Sequence, residues 1–301
     1  MELGFIGLGR MGSNMVQRLC QGNHRIVVYD RSPEVIRQAE QSGAIGASSL
    51  EEMAKRLAPP RVIWVMVPSG LPVEDTISSF MPLLQTGDTV IDGGNSNYQD
   101  SIRRAAMLRE RGIHFLDVGT SGGIWGLTEG YSLMIGGEVD VVQRLRQLFE
   151  TLAPAPEKGW GRVGPNGAGH FVKMVHNGIE YGLMQAYAEG FAIMKAKKEF
   201  ELDLHAIAGI WQSGSVVRSW LLDLIKEILS QDQGLKRMKP WVDDSGEGRW
   251  TVKEAIDLNV SAPVITESLL RRLRSREEDP FTDKLLAAMR QAFGGHAIKG
   301  E

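Results

Sequence analysis

Over the first 160 residues, short apolar runs alternate with stretches whose apolar residues recur at helical spacing. Segments 3–6, 25–29, 61–67, 89–91, 114–117 and 132–135 read as strands. Several are rich in Val and Ile, the composition of strands covered on both faces. This β–α alternation predicts an α/β doubly wound parallel sheet. Proline and glycine then concentrate in 153–169, which marks a domain boundary and gives expected domains 1–160 and 161–301. Segment 170–198 follows as a helical pattern longer than the roughly 25 residues of most globular helices. LHAIAGIWQSG, SWLLDLIKEIL and ITESLLRRLRS continue in helical register to the end. The second domain is thus expected to be all-α, built on one long central helix.

That helix carries the most telling pattern, KMVHNGIEY from Lys173 to Tyr181. At about 100° per residue, Glu180 returns to within roughly 20° of Lys173, and His176 and Asn177 flank the same line. Met174, Val175 and Ile179 point elsewhere. A surface helix scatters polar groups and a core helix fills such a stripe with apolar ones, so an amine and a carboxyl on one line are expected to face a cavity.

A second chemistry lies at the N-terminus. GLGRMG, comprising Gly7, Leu8, Gly9, Arg10, Met11 and Gly12, follows the first strand and opens a helix. With 35 glycines in the chain the spacing alone says little, but its place between strand and helix is that of a Rossmann-type dinucleotide loop. The first glycine permits the tight turn, the second admits a pyrophosphate, and the third lets helix and strand pack, while the helix N-terminus offers N–H groups to the anion. Asp30 ends the second strand, where a carboxylate accepts from the adenosine ribose. This favours NAD, although the neighbouring Arg31 leaves NADP possible. Two further loops follow strands at the same expected edge: Met66, Val67 and Pro68 in MVPSG, and Asn95 in DGGNSNY. A third, GTSGGIWG, holds Ser121, Gly122 and Gly123. Three such loops on one edge imply a shared cleft.

Composition narrows the setting. The chain has 301 residues, 43% hydrophobic and 24% charged, as in a globular protein of two domains. Net charge is −3 with a pI near 6.1, which gives no electrostatic case for nucleic acid as a partner. No run of about 20 apolar residues suggests a membrane span, and the N-terminus lacks the pattern of a secretory signal. Cys20 is the single cysteine, which rules out an internal disulfide framework and fits a cytoplasmic location.

With the loops and the Lys173 helix taken together, the whole chain resembles the 6-phosphogluconate dehydrogenase family in its short form, with an abbreviated helical domain. GLGRMG, DGGNS, SGG and above all KMVHNGIEY carry the resemblance. It implies oxidation of 6-phosphogluconate at C3 with reduction of NAD or NADP, loss of CO2 and release of ribulose 5-phosphate, in the pentose phosphate pathway. It assigns substrate binding and dimerisation to the helical domain. Lys173 is then the base that takes the hydroxyl proton and, once protonated, the acid that supports the enolate left by CO2. No metal is implied. Glu180 is expected to protonate C1 of the enediol. His176, Asn177 and Asn95 are expected to hold hydroxyls and the carbonyl region, and Ser121, Gly122 and Gly123 the carboxylate. Tyr181 and Arg272 are expected at the phosphate, with Arg271 or Arg274 as stand-ins for Arg272. RQAFGGHAI resembles the family tail that reaches into a neighbouring subunit, which implies a homodimer or homotetramer with Arg290 and His296 in the partner's site.

Two departures from the family pattern stand out. Ser245 occupies the place of a family phosphate-binding lysine, with Arg249 nearby as a compensating cation. Ile124 and Trp125 follow SGG where the long form has polar residues. Two alternatives share part of the pattern. A β-hydroxyacid dehydrogenase of the 3-hydroxyisobutyrate type would also have the glycine loop, an SGG turn, Lys173 and Asn177. A non-catalytic dinucleotide-binding protein would need neither Lys173 nor Glu180.

Overall fold

The computed structural model describes residues 1–294. It contains eight strands: β1 Glu2–Ile6, β2 Arg25–Tyr29, β3 Ile45–Gly46, β4 Val62–Val65, β5 Thr89–Asp92, β6 His114–Ser121, β7 Ser132–Gly136 and β8 Trp160–Gly164. The helices of the sheet region are α1 Arg10–Gln21, α2 Pro33–Gln41, α3 Leu50–Arg56, α4 Leu71–Phe80, α5 Tyr98–Arg109, α6 Gly126–Glu129, α7 Val139–Arg144 and α8 Arg146–Leu152. Then come α9 Ala168–Ala196, α10 Leu204–Trp211, α11 Trp220–Gln231, α12 Glu247–Asp257, α13 Pro263–Arg274 and α14 Phe281–Gly294.

All eight strands form one sheet in the order β3-β2-β1-β4-β5-β6-β7-β8. Every pairing is parallel except that of β6 with β7, so the sheet is parallel-dominated rather than wholly parallel. The turn from β6 to β7 is too short for a crossover, which forces the antiparallel return. Two strands lie outside the sequence expectation. β3 has only two residues, and β8 reads WGRVG, where glycines hide a strand inside what looks like a linker.

Alternation along the central strands builds two apolar layers. Leu3 and Phe5 of β1 join Trp64 of β4, Met15 and Leu19 of α1 and Phe149 of α8 on one face. Ile6, Ile63 and Val65 join Met53, Ile77, Phe80 and Leu108 from α3, α4 and α5 on the other. Burial of both faces is what the apolar strand sequences require.

The chain forms two compact units, Met1–Asn177 and Gly178–Glu301, the division falling inside α9. Two glycine contacts explain the position. A Cβ at Gly169 would lie 2.3 Å from the Asp117 carbonyl oxygen and 2.5 Å from that of Met134. The first turns of α9 therefore rest directly on the sheet and belong to it. Asp117 secures them, its two oxygens accepting from the Gly167 N–H at 2.7 Å and the His170 N–H at 2.9 Å.

Among the described residues the second unit is helical. α10 and α11 begin on side-chain caps, Asp203 accepting from the Ala206 N–H and Ser219 from the Leu222 N–H. Phe281, Leu285, Leu286, Met289 and Phe293 recur along α14 and are all exposed. No described helix is long and apolar enough to cross a membrane.

Candidate active site

The loops after β1, β4, β5 and β6 leave the sheet at one edge, since these four neighbours are parallel. The glycine loop is built as the sequence implies. Gly7 has φ +98°, and a Cβ there would meet the Met66 carbonyl oxygen at 2.4 Å. At Gly12 a Cβ would lie 2.1 Å from the Gly7 carbonyl oxygen, so α1 can close on β1 only with glycine. At Gly9, by contrast, nothing lies within 4 Å of where a Cβ would stand. Gly9 also precedes α1 without any side-chain cap, an arrangement that suits a pyrophosphate at the helix N-terminus. Asp30 accepts from the Leu8 N–H at 2.7 Å and the Ser32 N–H at 2.9 Å, which fixes its carboxylate beside the loop. Arg10 and Arg31 are exposed, and the Met11 carbonyl receives the Tyr131 hydroxyl at 3.4 Å. Met66 and Val67 are half-buried and Pro68 is exposed. These residues fit a dinucleotide.

Asn95 has a more specific setting than its loop suggested. Its backbone is left-handed, φ +53°, and its amide spans to β6, donating to the Thr120 carbonyl at 3.0 Å and accepting from the Thr120 N–H at 2.8 Å. The loop after β5 is thereby fastened to the strand that leads into Ser121, Gly122 and Gly123. Asp92 anchors it from the other side, accepting from the Gly94 N–H at 3.0 Å, the Ser96 hydroxyl at 2.7 Å and Arg104 at 3.2 Å. Arg104 is itself buried and also binds Glu74, whose carboxyl sits at about 2. The Arg103 hydrogen bond and the Arg104 charge cause that shift against the opposing effect of burial. Asp92 stands in the DGGNSNY loop, but Arg104 lies in an unremarkable RRAAML helix and carries no sequence signal.

Gly122 and Gly123 have φ +130° and +53°, and Asn14 of α1 donates to the Ile124 carbonyl at 3.1 Å. The SGG turn thus sits beside the second turn of the dinucleotide helix, with Ile124 and Trp125 exposed on it.

Lys173 is 5% exposed and its Nζ donates to Asn177 Oδ1 one turn later. Its stem packs on β6 at Gly119, where an added Cβ would fall 2.4 Å from Lys173 Cβ. His176 is exposed, with Nδ1 3.3 Å from Asn177 Oδ1. His170, one turn before Lys173, is buried and bonds Ser101 of α5 at 2.7 Å. A histidine in a helix start carries no pattern by which the sequence singles it out.

In the second unit Glu180 is half-buried on α9 and Tyr181 is 5% exposed. The Arg272 guanidinium lies 3.5 Å from the Tyr181 ring centroid, and a Cβ at Gly248 would come within 2.4 Å of that ring. The Tyr181 hydroxyl is 3.4 Å from Ser245 Oγ and 3.5 Å from Asp244 Oδ1. Burial pushes the Asp244 carboxyl up, but the Arg249 ion pair, the Gly246 N–H and the charge of Arg276 outweigh it and hold the group low. Tyr181, Arg272 and Ser245 are thus brought together, and Arg249 is committed to Asp244. Arg271 is exposed, and Arg274 pairs with Asp283 of α14. Arg290 is exposed on α14, and His296 lies outside the described residues. Among the described residues no cluster of three or more His, Cys, Asp and Glu is placed to hold a metal ion.

Comparison with known proteins is consistent along the whole chain. Residues 2–161 match the NAD binding domain of 6-phosphogluconate dehydrogenase, and residues 169–288 match the 6-phosphogluconate dehydrogenase C-terminal domain. The protein YqeC of Bacillus subtilis is 43% identical over 299 residues, 99% of each chain. An NAD(+)-dependent, decarboxylating 6-phosphogluconate dehydrogenase of Haloferax volcanii is 42% identical, over 99% of this chain and 98% of its own. The structure of Plasmodium falciparum 6-phosphogluconate dehydrogenase superposes with a TM-score of 0.84 at 28% identity, covering all of this chain and 66% of the other. The first unit therefore carries a nicotinamide-dinucleotide-binding domain, and the chain belongs to the 6-phosphogluconate dehydrogenase family.

Proposed function

We propose that the chain oxidises and decarboxylates 6-phosphogluconate to ribulose 5-phosphate in the pentose phosphate pathway, with NAD as its preferred acceptor. The observation that carries this reading is Lys173, a buried amine held by Asn177 and seated on the strand that leads into the SGG turn. Removing a hydride from a secondary alcohol leaves a hydroxyl proton to be taken, and a neutral Lys173 takes it. The protonated amine then donates to the new carbonyl oxygen and supports the enolate formed as CO2 departs. Hydride acceptance is the chemistry the nicotinamide supplies when bound. Glu180 returns a proton to C1. Ser121, Gly122 and Gly123 receive the carboxylate through their backbone, His176 and Asn177 hold hydroxyls, and Tyr181 and Arg272 serve the phosphate. A β-hydroxyacid dehydrogenase needs no such phosphate end.

The test is to incubate purified protein with NAD and 6-phosphogluconate and follow NADH and CO2 together. Equimolar formation supports the reading. Oxidation of 3-hydroxyisobutyrate without CO2, or tight NAD binding without reduction, would replace it with one of the alternatives.

Asp30 supports the preference for NAD, because a 2′-phosphate beside that carboxylate meets a like charge. Replacing Asp30 by Asn is expected to move the ratio of kcat/KM for NAD over NADP toward NADP by about tenfold, the equivalent of about 1.4 kcal/mol. An unchanged ratio would place cofactor selection elsewhere, with Arg31 the next residue to vary. The apolar, exposed face of α14 supports a homodimer or homotetramer in which Arg290 and His296 serve a neighbouring site. The single cysteine supports a cytoplasmic setting.

A further inference from the structure

The segment 242–245, which meets the Tyr181 hydroxyl, is strapped by the end of α13. Ser275 Oγ accepts from the Val242 N–H at 3.0 Å, Arg272 donates to the Asp243 carbonyl at 2.9 Å, and Arg276 Nε donates to the Val242 carbonyl at 3.1 Å. Two guanidinium groups therefore converge on one strap from successive turns. Arg249, by contrast, is half-exposed and directly paired with Asp244. Arg276 Nη2 is buried and has no hydrogen-bond partner. A buried charged donor without an acceptor is among the more costly arrangements a fold can keep. Just beyond the other end of the strap, Glu247 begins α12, and its Oε2 is likewise buried without a hydrogen bond. An orphan donor and an orphan acceptor flanking one segment suit a ligand end that carries both anionic oxygens and hydroxyl groups, as a phosphorylated polyol does.

We infer that Arg276 is the second cation at the phosphate end of the substrate, working with Arg272 and standing in for the family lysine whose place Ser245 holds. This inference rests on the function proposed above. Arg272 is stacked on Tyr181, with one amino group on the Asp243 carbonyl and the other 3.5 Å from Met184 Sδ, and its single charge does not by itself match a phosphomonoester dianion. Ser245 supplies only a neutral hydroxyl. The buried Nη2 of Arg276 supplies the missing charge-assisted donor without a side chain having to be ordered first.

Steady-state kinetics of Arg276→Gln, with Arg276→Lys and the exposed Lys253→Gln beside it, test the inference. For Arg276→Gln the KM for 6-phosphogluconate is expected to rise at least tenfold, with kcat within threefold of wild type. The kcat/KM for unphosphorylated gluconate should be unchanged, so preference for the phosphorylated substrate falls by the same factor. Arg276→Lys should recover part of the loss, and Lys253→Gln should behave as wild type. An unchanged KM in a folded Arg276→Gln protein overturns the inference. Equal losses on both substrates also overturn it, because a purely structural role would act on both. Should the wild type fail to turn over 6-phosphogluconate, the proposed function fails first. Calorimetric titration of wild type and Arg276→Gln with inorganic phosphate then decides the site, and equal affinities would sink it.

Discussion

Lys173→Met is expected to reduce turnover by at least about a thousandfold while leaving dinucleotide affinity within twofold. Methionine keeps the length of the stem that packs on Gly119, so the helix should stay in place. What disappears is the amine. A positioned base or acid contributes roughly 10² to 10⁴ in rate, and under the proposed function the same group would serve as base in oxidation and as hydrogen-bond donor in decarboxylation. The residues proposed for the dinucleotide, Gly7, Gly9, Gly12 and Asp30, lie just after β1, around the start of α1 and just after β2, whereas Lys173 lies on α9. Fluorescence titration with NADH beside steady-state kinetics separates the two effects. Retention of more than a few per cent of kcat would remove Lys173 from the role of base.

The second large effect is expected from a methyl group. Gly119→Ala places a Cβ 2.4 Å from Lys173 Cβ and 2.7 Å from the Gly169 carbonyl oxygen, far inside contact distance. Neither neighbour is the loose end of a side chain, so α9 must move off β6. Overpacking of this kind costs about 1 to 3 kcal/mol, which for a protein of this size lowers Tm by roughly 2 to 5 °C. The catalytic loss should be larger in proportion, since a displacement of about 1 Å of a reacting group costs on the order of a hundredfold in rate. Calorimetry and kcat/KM on the same preparation provide the check. A normal kcat/KM together with a lowered Tm would mean that α9 yields without carrying its amine away from the site.

These two residues also show how far the sequence could be read. Lys173 stood out because four polar neighbours at helical spacing make a stripe that neither a core nor a surface helix explains. The glycine loop was legible for a similar reason: its spacing answers to a backbone need at Gly7 and Gly12 that the structure displays as short approaches. Gly119 lies within GTSGGIWG but is not distinguishable there, because its necessity comes from a helix fifty residues later. Arg104 and Asp117 share that difficulty. Each is buried by tertiary contacts, and nothing local separates them from ordinary surface and strand residues. The strand β8 was hidden by its glycines, and the antiparallel β7 by the fact that an apolar run does not announce its direction. Tyr181 and Arg272 are marked by the family resemblance, whereas Arg276 is marked only by the buried donor that its neighbours leave unmatched.

The Asn95 clamp sets a limit on how the protein ages. Its grip on Thr120 depends on one amide offering an N–H to a carbonyl and an oxygen to an N–H. Deamidation to aspartate would exchange the donor for a second oxygen and turn one half of the clamp into repulsion against the Thr120 carbonyl. Spontaneous hydrolysis at this single side chain would then release the loop from β6. Stored enzyme should lose activity in step with one added negative charge, visible by isoelectric focusing, well before any loss of helical content.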